Sequence, residues 1–175
     1  AAVKDGRWGM TQIMPQYRFK GSTVGFFCFG RISRMAAKKL SGFGVDMIAY
    51  DPYITQEQIA DTGATLVSFD ELLEKSDYIV LQGPLTESTR GVFNAEAFKK
   101  MKNTAYIINT ARGQLVNQQE LCEAIKSGEI RGAALDVVDH DPAGPEEAEL
   151  IALPDVICTG HTGFYSVEAL ENQNE

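Results

Sequence analysis

The stretch VGFFCFGRIS, residues 24–33, joins a run of apolar residues to the start of an amphipathic segment. Its last six residues, from Cys28 to Ser33, occupy the positions of a G-x-G-x-x-G dinucleotide-binding turn, and only the middle glycine, Gly30, is present. Ser33 is small enough for the close helix–strand packing that the third glycine allows, whereas Cys28 places a Cβ in the turn and disfavours positive φ there. The stretch is therefore either a dinucleotide-binding turn that has lost glycines or an ordinary strand-to-helix turn.

Two further features favour a dinucleotide. The main-chain N–H groups of Arg31 and Ile32 belong to the predicted N-terminus of a helix, where the helix dipole favours an anion such as pyrophosphate. Asp51 ends the next apolar run, 21 positions after Gly30, where a carboxylate can accept hydrogen bonds from an adenosine ribose. Its charge would repel a 2′-phosphate, so the sequence predicts NAD rather than NADP. The alternative is that Asp51 and Pro52 merely open a turn.

Short apolar runs alternate with longer amphipathic segments along the chain. The predicted strands are 24–29, 45–50, 65–67, 78–81, 105–109, 132–137 and 156–158. The predicted helices are 31–43, 56–61, 69–75, 94–101 and 118–126, the last capped by Asn117. Several strand segments are apolar throughout, which is typical of parallel strands covered on both faces. The alternation predicts an α/β fold with a doubly wound, Rossmann-type parallel sheet in a single domain.

The composition argues against several other classes of protein. The 175 residues are 44% hydrophobic and 23% charged, which suits one globular domain, and no apolar run is long enough to span a membrane. The net charge is −8 with scattered Lys and Arg, so a nucleic-acid partner is not expected. Three cysteines and two histidines are too few and too scattered for a disulfide framework or a metal site. A reducing, cytoplasmic location is therefore expected.

Three later stretches are more specific than the glycine turn. They are YIINTARGQLVN (106–117), IRGAALDVVDHDP (130–142) and PDVICTGHTGFYS (154–166). With them the sequence resembles the NAD-binding domain of the D-isomer-specific 2-hydroxyacid dehydrogenases over roughly residues 21–165. The last stretch and AYDPY (49–53) most resemble the branch that contains the C-terminal-binding-protein corepressors.

The resemblance implies a catalytic role for three residues. Arg112 would bind the carboxylate and carbonyl of a 2-oxo acid with its planar, charged fork. His161 would be the acid/base that donates a proton to the carbonyl oxygen as hydride arrives. Asp141, where the family usually has Glu, would pair with His161 and fix its orientation.

The resemblance also implies the cofactor contacts, and it implies no metal. These contacts follow the ends of the predicted strands and comprise Gly30, Arg31, Ile32, Asp51, Gly83, Pro84, Thr89, Thr110, Ala111, Asp136 and Gly163. Among them, Asp136 would lie near the nicotinamide carboxamide.

Several residues depart from the family pattern around this site. Gln82 and Gly83 stand where the family often has His and Cys, and Gln114 and Asn117 stand where Gly and Asp are common. Gly160 replaces a usual proline, which would loosen the backbone before the candidate acid/base. As a set, these changes predict an altered cofactor affinity or catalytic geometry.

The domain organisation is predicted from the pattern of strands and helices and from the family resemblance. Residues 1–20 form a lead-in segment, 21–165 the NAD-binding domain, and 166–175 the start of a helix that would return to a substrate domain absent from this chain. Residues 139–155 are interpreted as a Pro-rich acidic connection. Trp8 in the lead-in segment is either an aromatic anchor of a homodimer or a cover on one edge of the core.

Two functions remain open at this point. The first is an NAD-dependent oxidoreductase that interconverts a small 2-hydroxy acid and its 2-oxo acid, with little activity expected of this chain alone because the second wall of the active site is missing. The second is an NAD(H)-responsive binding protein of the corepressor type. Arg112 and His161 favour the first function, while the altered turn favours the second.

Overall fold

The computed structural model describes residues 6, 8 and 17–173, and these contain one sheet of seven parallel strands. The strands are β1 (Thr23–Phe27), β2 (Asp46–Tyr50), β3 (Thr65–Leu66), β4 (Tyr78–Leu81), β5 (Tyr106–Asn109), β6 (Gly132–Leu135) and β7 (Val156–Cys158). Their order is β3-β2-β1-β4-β5-β6-β7. The order reverses between β1 and β4, which is where ligands bind in doubly wound sheets. The predicted fold class is confirmed.

Helices connect the strands. They are α1 (Arg31–Leu40), α2 (Phe69–Lys75), α3 (Ala95–Lys100), α4 (Gln118–Ser127), α5 (Ala148–Ile151) and α6 (Val167–Gln173), with 3-10 turns at Ser41–Phe43, Gln56–Thr62 and Gly113–Leu115. The predicted cap of α4 is confirmed, because Asn117 Oδ1 accepts a hydrogen bond from Glu120 N (3.2 Å). The acidic connection after β6 contains α5, which the sequence did not predict, and Leu150 of α5 is buried in the core.

The core lies on both faces of β1, the central strand. Phe26 and Phe29 belong to a cluster with Ala37 of α1, whereas Phe27 faces the larger cluster on the other side. There the Phe27 and Phe93 rings meet edge to face, with their centroids 5.1 Å apart. Successive side chains of a strand point to opposite faces, so Phe26 and Phe27 fix β1 from both sides. The turn that follows β1 therefore has a fixed position.

Trp8 is 83% exposed, so the interpretation that it covers an edge of the core is wrong. In the part of the chain that the structure describes, no helix is both long enough and apolar enough to cross a bilayer.

Candidate functional site

The turn from β1 to α1 keeps a glycine-type backbone although a cysteine occupies it. Cys28 has φ +65°, in the left-handed region that costs a non-glycine residue about 1 kcal/mol. The turn is held by hydrogen bonds from Cys28 N to Tyr50 O (2.8 Å), Phe29 N to Asp51 Oδ2 (2.9 Å) and Ser33 Oγ to Cys28 O (2.8 Å). Ser33 is fully buried against this turn, as its small size predicts.

The thiol of Cys28 occupies space that Gly83 leaves free at the end of β4. A Cβ at position 83 would lie 2.8 Å from Cys28 Sγ and 3.0 Å from Phe27 Cε1. The two departures from the family pattern are therefore adjacent in space, and a side chain at position 83 would overlap the thiol of Cys28 unless one of them moved. Burial, followed by the charge of Asp51, raises the pKa of the Cys28 thiol to about 11. The thiol is thus neutral at pH 7 and acts as a small packing group.

This close approach predicts the outcome of a double-mutant cycle. Gly83→Ala is expected to destabilise the chain by about 1–3 kcal/mol when Cys28 is present, because the new methyl group overpacks the thiol. The loss should shrink by at least about half in the Cys28→Gly background, and should persist with Cys28→Ser, which keeps an atom at the Sγ position. Urea unfolding of the variants measures these differences. Equal losses in all three backgrounds would show that the two positions are independent.

Asp51 follows β2 and organises the turns on both sides of it. Its Oδ2 accepts from Phe29 N, and its Oδ1 accepts from Tyr53 N (3.0 Å). The carboxylate therefore opens a turn, as one interpretation of Asp51-Pro52 required, and also fixes the β1–α1 turn. Each carboxylate oxygen has a second lone pair, so Asp51 can still accept hydrogen bonds from a ligand.

A cavity of about 440 Å³ lies over these turns at the carboxyl ends of β1, β2 and β4. Among the predicted cofactor residues, it is lined by Gly30, Asp51, Pro84 and Thr89. A Cβ built at Gly30 would meet no atom of residues 17–173 within 4 Å, so this glycine leaves open space for a ligand. Within the described part of the chain, no side chain caps α1, which leaves the first N–H groups of the helix available to an anion. These features fit the pyrophosphate and adenosine of a dinucleotide.

The floor of this cavity contains a hydrogen bond that sequence reasoning missed. Gln82 Nε2 donates to Thr110 Oγ1 (2.6 Å) and joins the ends of β4 and β5. Thr89 Oγ1 in turn donates to Pro84 O (2.7 Å), which closes the loop after β4. Gln82, one of the departures from the family pattern, thus has a definite place in the floor of the cavity, which it lines.

His161 and Asp141 come together beyond the ends of β7 and β6. A hydrogen bond joins His161 Nδ1 to Asp141 Oδ2, so the predicted pairing is present although Asp is shorter than the usual Glu. His161 has φ +55°, and its main-chain N–H donates to Asp136 O (2.9 Å). The pair lines a second cavity, of about 260 Å³. Because Nδ1 is engaged by Asp141, Nε2 is the ring nitrogen that remains for a ligand.

Arg112 lies at the same edge of the sheet, beyond β5. The preceding Asn109, which is 1% exposed, shapes this turn by donating from Nδ2 to Arg112 O (2.9 Å) and accepting at Oδ1 from Ala111 N (3.0 Å). The Arg112 side chain is exposed and donates to Ala111 O (2.6 Å). Among the described residues it makes no hydrogen bond with the His161–Asp141 pair. Asn109 was missed by sequence reasoning, although a polar residue that ends a buried strand was the available signal.

The loop that carries Arg112 and the loop that carries Asp141 are in direct contact close to these two residues. A Cβ at Gly113 would lie 2.1 Å from the carbonyl carbon and oxygen of Val138, so the two backbones are in direct contact. Beside this contact, Gln114 Nε2 donates to Asp139 O (2.8 Å). Gln114, another departure from the family pattern, therefore ties the loop after β5 to the loop after β6.

Asp136 holds the turn that carries His161. Its carboxylate is 8% exposed and accepts from Thr159 Oγ1 (2.5 Å), Thr162 N (3.0 Å) and Gly163 N (2.9 Å). Burial opposes the charged form, but these three hydrogen bonds outweigh it, so the pKa of Asp136 is lowered. A Cβ at Gly163 would lie 2.8 Å from Asp136 Oδ2, which explains the glycine. Two predicted cofactor residues thus contact each other.

These features define a dinucleotide-binding domain of the doubly wound class. They are the strained turn after β1, the carboxylate after β2 and the loops that lie together at one edge of the sheet. Residues 1–163 match the family model described as D-isomer specific 2-hydroxyacid dehydrogenase, NAD binding domain. The chain belongs to this family, and its cofactor is NAD.

Relatives of known activity and structure agree with this assignment. The chain is 39% identical over 175 residues to a D-3-phosphoglycerate dehydrogenase of Methanocaldococcus jannaschii, covering 97% of this chain and 32% of that protein. It is 37% identical over 169 residues to a hydroxypyruvate reductase of Thermotoga maritima, covering 96% and 54%. The crystal structure of a D-lactate dehydrogenase with NAD+ from Lactobacillus jensenii gives a TM-score of 0.88 at 29% identity, covering 97% and 54%. The chain thus spans about a third to a half of these relatives.

Proposed function

We propose that this domain serves an NAD-dependent oxidoreductase that interconverts a small 2-hydroxy acid and its 2-oxo acid. The observation that carries the proposal is the His161–Asp141 pair at the same sheet edge as Arg112. The relatives described above are dehydrogenases and reductases, which favours this function over the corepressor-type alternative.

Each catalytic candidate has a task suited to its chemistry. Arg112 binds the carboxylate and carbonyl oxygens of the 2-oxo acid, because its guanidinium offers parallel N–H donors and a permanent charge. His161 holds the proton for the carbonyl oxygen at Nε2, since Nδ1 is engaged by Asp141. Asp141 fixes the orientation of the ring, because its carboxylate is hydrogen-bonded to Nδ1. Bound NADH supplies the hydride when the 2-oxo acid is reduced.

The proposed cofactor residues fall into groups that contact different parts of the dinucleotide. Gly30, Arg31 and Ile32 receive the pyrophosphate at the N-terminus of α1, and Asp51 receives the adenosine ribose. The remaining contacts follow β4 to β7 and comprise Gly83, Pro84, Thr89, Thr110, Ala111, Asp136 and Gly163. Because its carboxylate already accepts three hydrogen bonds, Asp136 serves this site mainly by holding the His161 turn.

The proposal also covers the cellular location and the partners of the domain. We expect a cytoplasmic homodimer that has no nucleic-acid or membrane partner. The 83% exposure of Trp8 supports a place for this ring at a subunit interface, where aromatic anchors are common. We also expect the helix α6 to continue into contacts with a substrate domain.

The experiment that tests the function is NADH oxidation with a panel of 2-oxo acids. A complete subunit that carries this domain is expected to turn over at least one of them, while the 175-residue chain alone is expected to show little activity. Tight NADH binding without turnover by the complete subunit would favour the corepressor-type function instead.

A further inference from the structure

The loop between β6 and α5 carries Asp141 and brings a carboxylate to each histidine of the chain. His161 pairs with Asp141, and His140, the neighbour of Asp141, pairs with Glu147 through Nδ1 and Oε1 (2.6 Å). Since His140 and Asp141 are adjacent, one side chain is directed to the candidate catalytic site while the other is held at the far end of the loop.

Glu147 is the unusual member of this arrangement. Its side chain is 1% exposed, and a buried carboxylate is costly unless its oxygens are hydrogen-bonded. Oε1 is paired with His140, and Oε2 accepts from Gly144 N (2.7 Å). The hydrogen bond from His140 is the main cause that lowers the pKa of Glu147, and the same bond raises the pKa of His140. Glu147 therefore binds the loop at two points.

Glu147 is itself tied to the core. It immediately precedes α5, and its carbonyl accepts from Ile151 N (3.0 Å). Leu150 of the same helix is 3% exposed and belongs to the larger core cluster. Because Glu147 is fixed to the core in this way, its hydrogen bond to His140 also fixes the position of His140 relative to the core.

The loop has little else to hold it at Asp141. Within the described residues, no main-chain hydrogen bond involves residues 140–143. The last fixed point before them is Asp139 O, which accepts from Gln114 Nε2. Side chains must therefore help to set the position of this segment, and of the two neighbours of Asp141, His140 and Pro142, His140 is the one whose side chain is hydrogen-bonded.

We propose that the Glu147–His140 pair is the positioning device for Asp141 and, through Asp141, for the His161 ring. The inference rests on the role that the proposed function gives to His161. His140 and Glu147 are positioning residues, since neither touches the candidate substrate site. The pair holds Asp141 where its carboxylate accepts the Nδ1 proton of His161, and so keeps Nε2 directed to the ligand.

The histidine rings themselves provide the test. His140→Ala and His140→Gln each leave His161 as the single histidine of the chain, so its ring ¹⁵N resonances need no further assignment. At alkaline pH, a ring fixed by Asp141 gives two widely separated ¹⁵N shifts, one for the protonated and one for the bare nitrogen. His140→Ala is expected to bring the two shifts together as the tautomers average. His140→Gln, whose amide can still donate to Glu147, is expected to restore the separation.

Two further variants complete the design. Glu147→Gln keeps the size of the buried side chain but leaves one acceptor oxygen for two donors, His140 Nδ1 and Gly144 N, so it is expected to give the same averaging as His140→Ala. Glu146→Gln is the matched control, because Glu146 lies 3.6 Å from His140 Nδ1 and is 79% exposed, and it should leave the His161 shifts unchanged. A purely structural pair would lower the thermal midpoint without moving these shifts, and that result would overturn the proposal. The readout needs neither cofactor nor turnover, so its failure would leave the proposed function standing.

Discussion

His161→Asn is expected to lower kcat of a complete subunit by about 10²- to 10⁴-fold, the usual contribution of a positioned general acid. Asparagine can hydrogen-bond to Asp141 but cannot transfer a proton. The side chain is 42% exposed and bordered by the cavity that it shares with Asp141, so the substitution should not disturb the core. Initial rates of NADH oxidation at saturating 2-oxo acid measure the effect.

The control for this variant is cofactor affinity. The proposed pyrophosphate and adenosine contacts lie after β1, β2 and β4, whereas His161 follows β7, which is an edge strand of the sheet. NADH should therefore bind His161→Asn as tightly as it binds the unchanged subunit. A kcat within a few-fold of the original, with intact NADH binding, would remove His161 from the mechanism.

Gly113→Ala is expected to destabilise the domain by more than about 3 kcal/mol, which is in the severe range for a single substitution. The added Cβ would lie 2.1 Å from the carbonyl carbon and oxygen of Val138 and 2.6 Å from Asp139 N. These are backbone atoms that no rotamer change can move, so the loops after β5 and β6 would have to separate. The separation would also pull Gln114 away from Asp139 O.

The matched control is Gly42→Ala in the 3-10 turn after α1. A Cβ at Gly42 would meet no atom within 4 Å, so this substitution should change stability by no more than about 0.5 kcal/mol. Denaturant midpoints of the two variants give the comparison directly. Similar midpoints for both would mean that the loops after β5 and β6 can separate without loss.

The parts of the fold that could be predicted are those that local pattern determines. The strands at 78–81 and 156–158 were predicted with their observed bounds, because apolar runs with clear polar flanks define them. The strand predicted at 24–29 is wrong at its end, since Cys28 turns into the left-handed region after Phe27. Helix α5 was missed because its four residues are too short to show a period.

At the candidate site, one contact between predicted residues was predictable, whereas the residues that support it were not. The contact between His161 and Asp141 was expected from the family resemblance, and the structure contains it. The close approach of Cys28 to Gly83, and that of Gly113 to Val138, are contacts between different loops of the sheet edge. Such contacts depend on packing in three dimensions, which one sequence without its fold does not reveal.

We claim that the altered β1–α1 turn still binds NAD, and calorimetric titration of the 175-residue chain with NADH and NADPH is the test. We expect one NADH site per chain and a preference for NADH over NADPH of at least about tenfold, because Asp51 repels a 2′-phosphate. No heat from either cofactor up to millimolar concentrations would contradict the claim, as would equal binding of both.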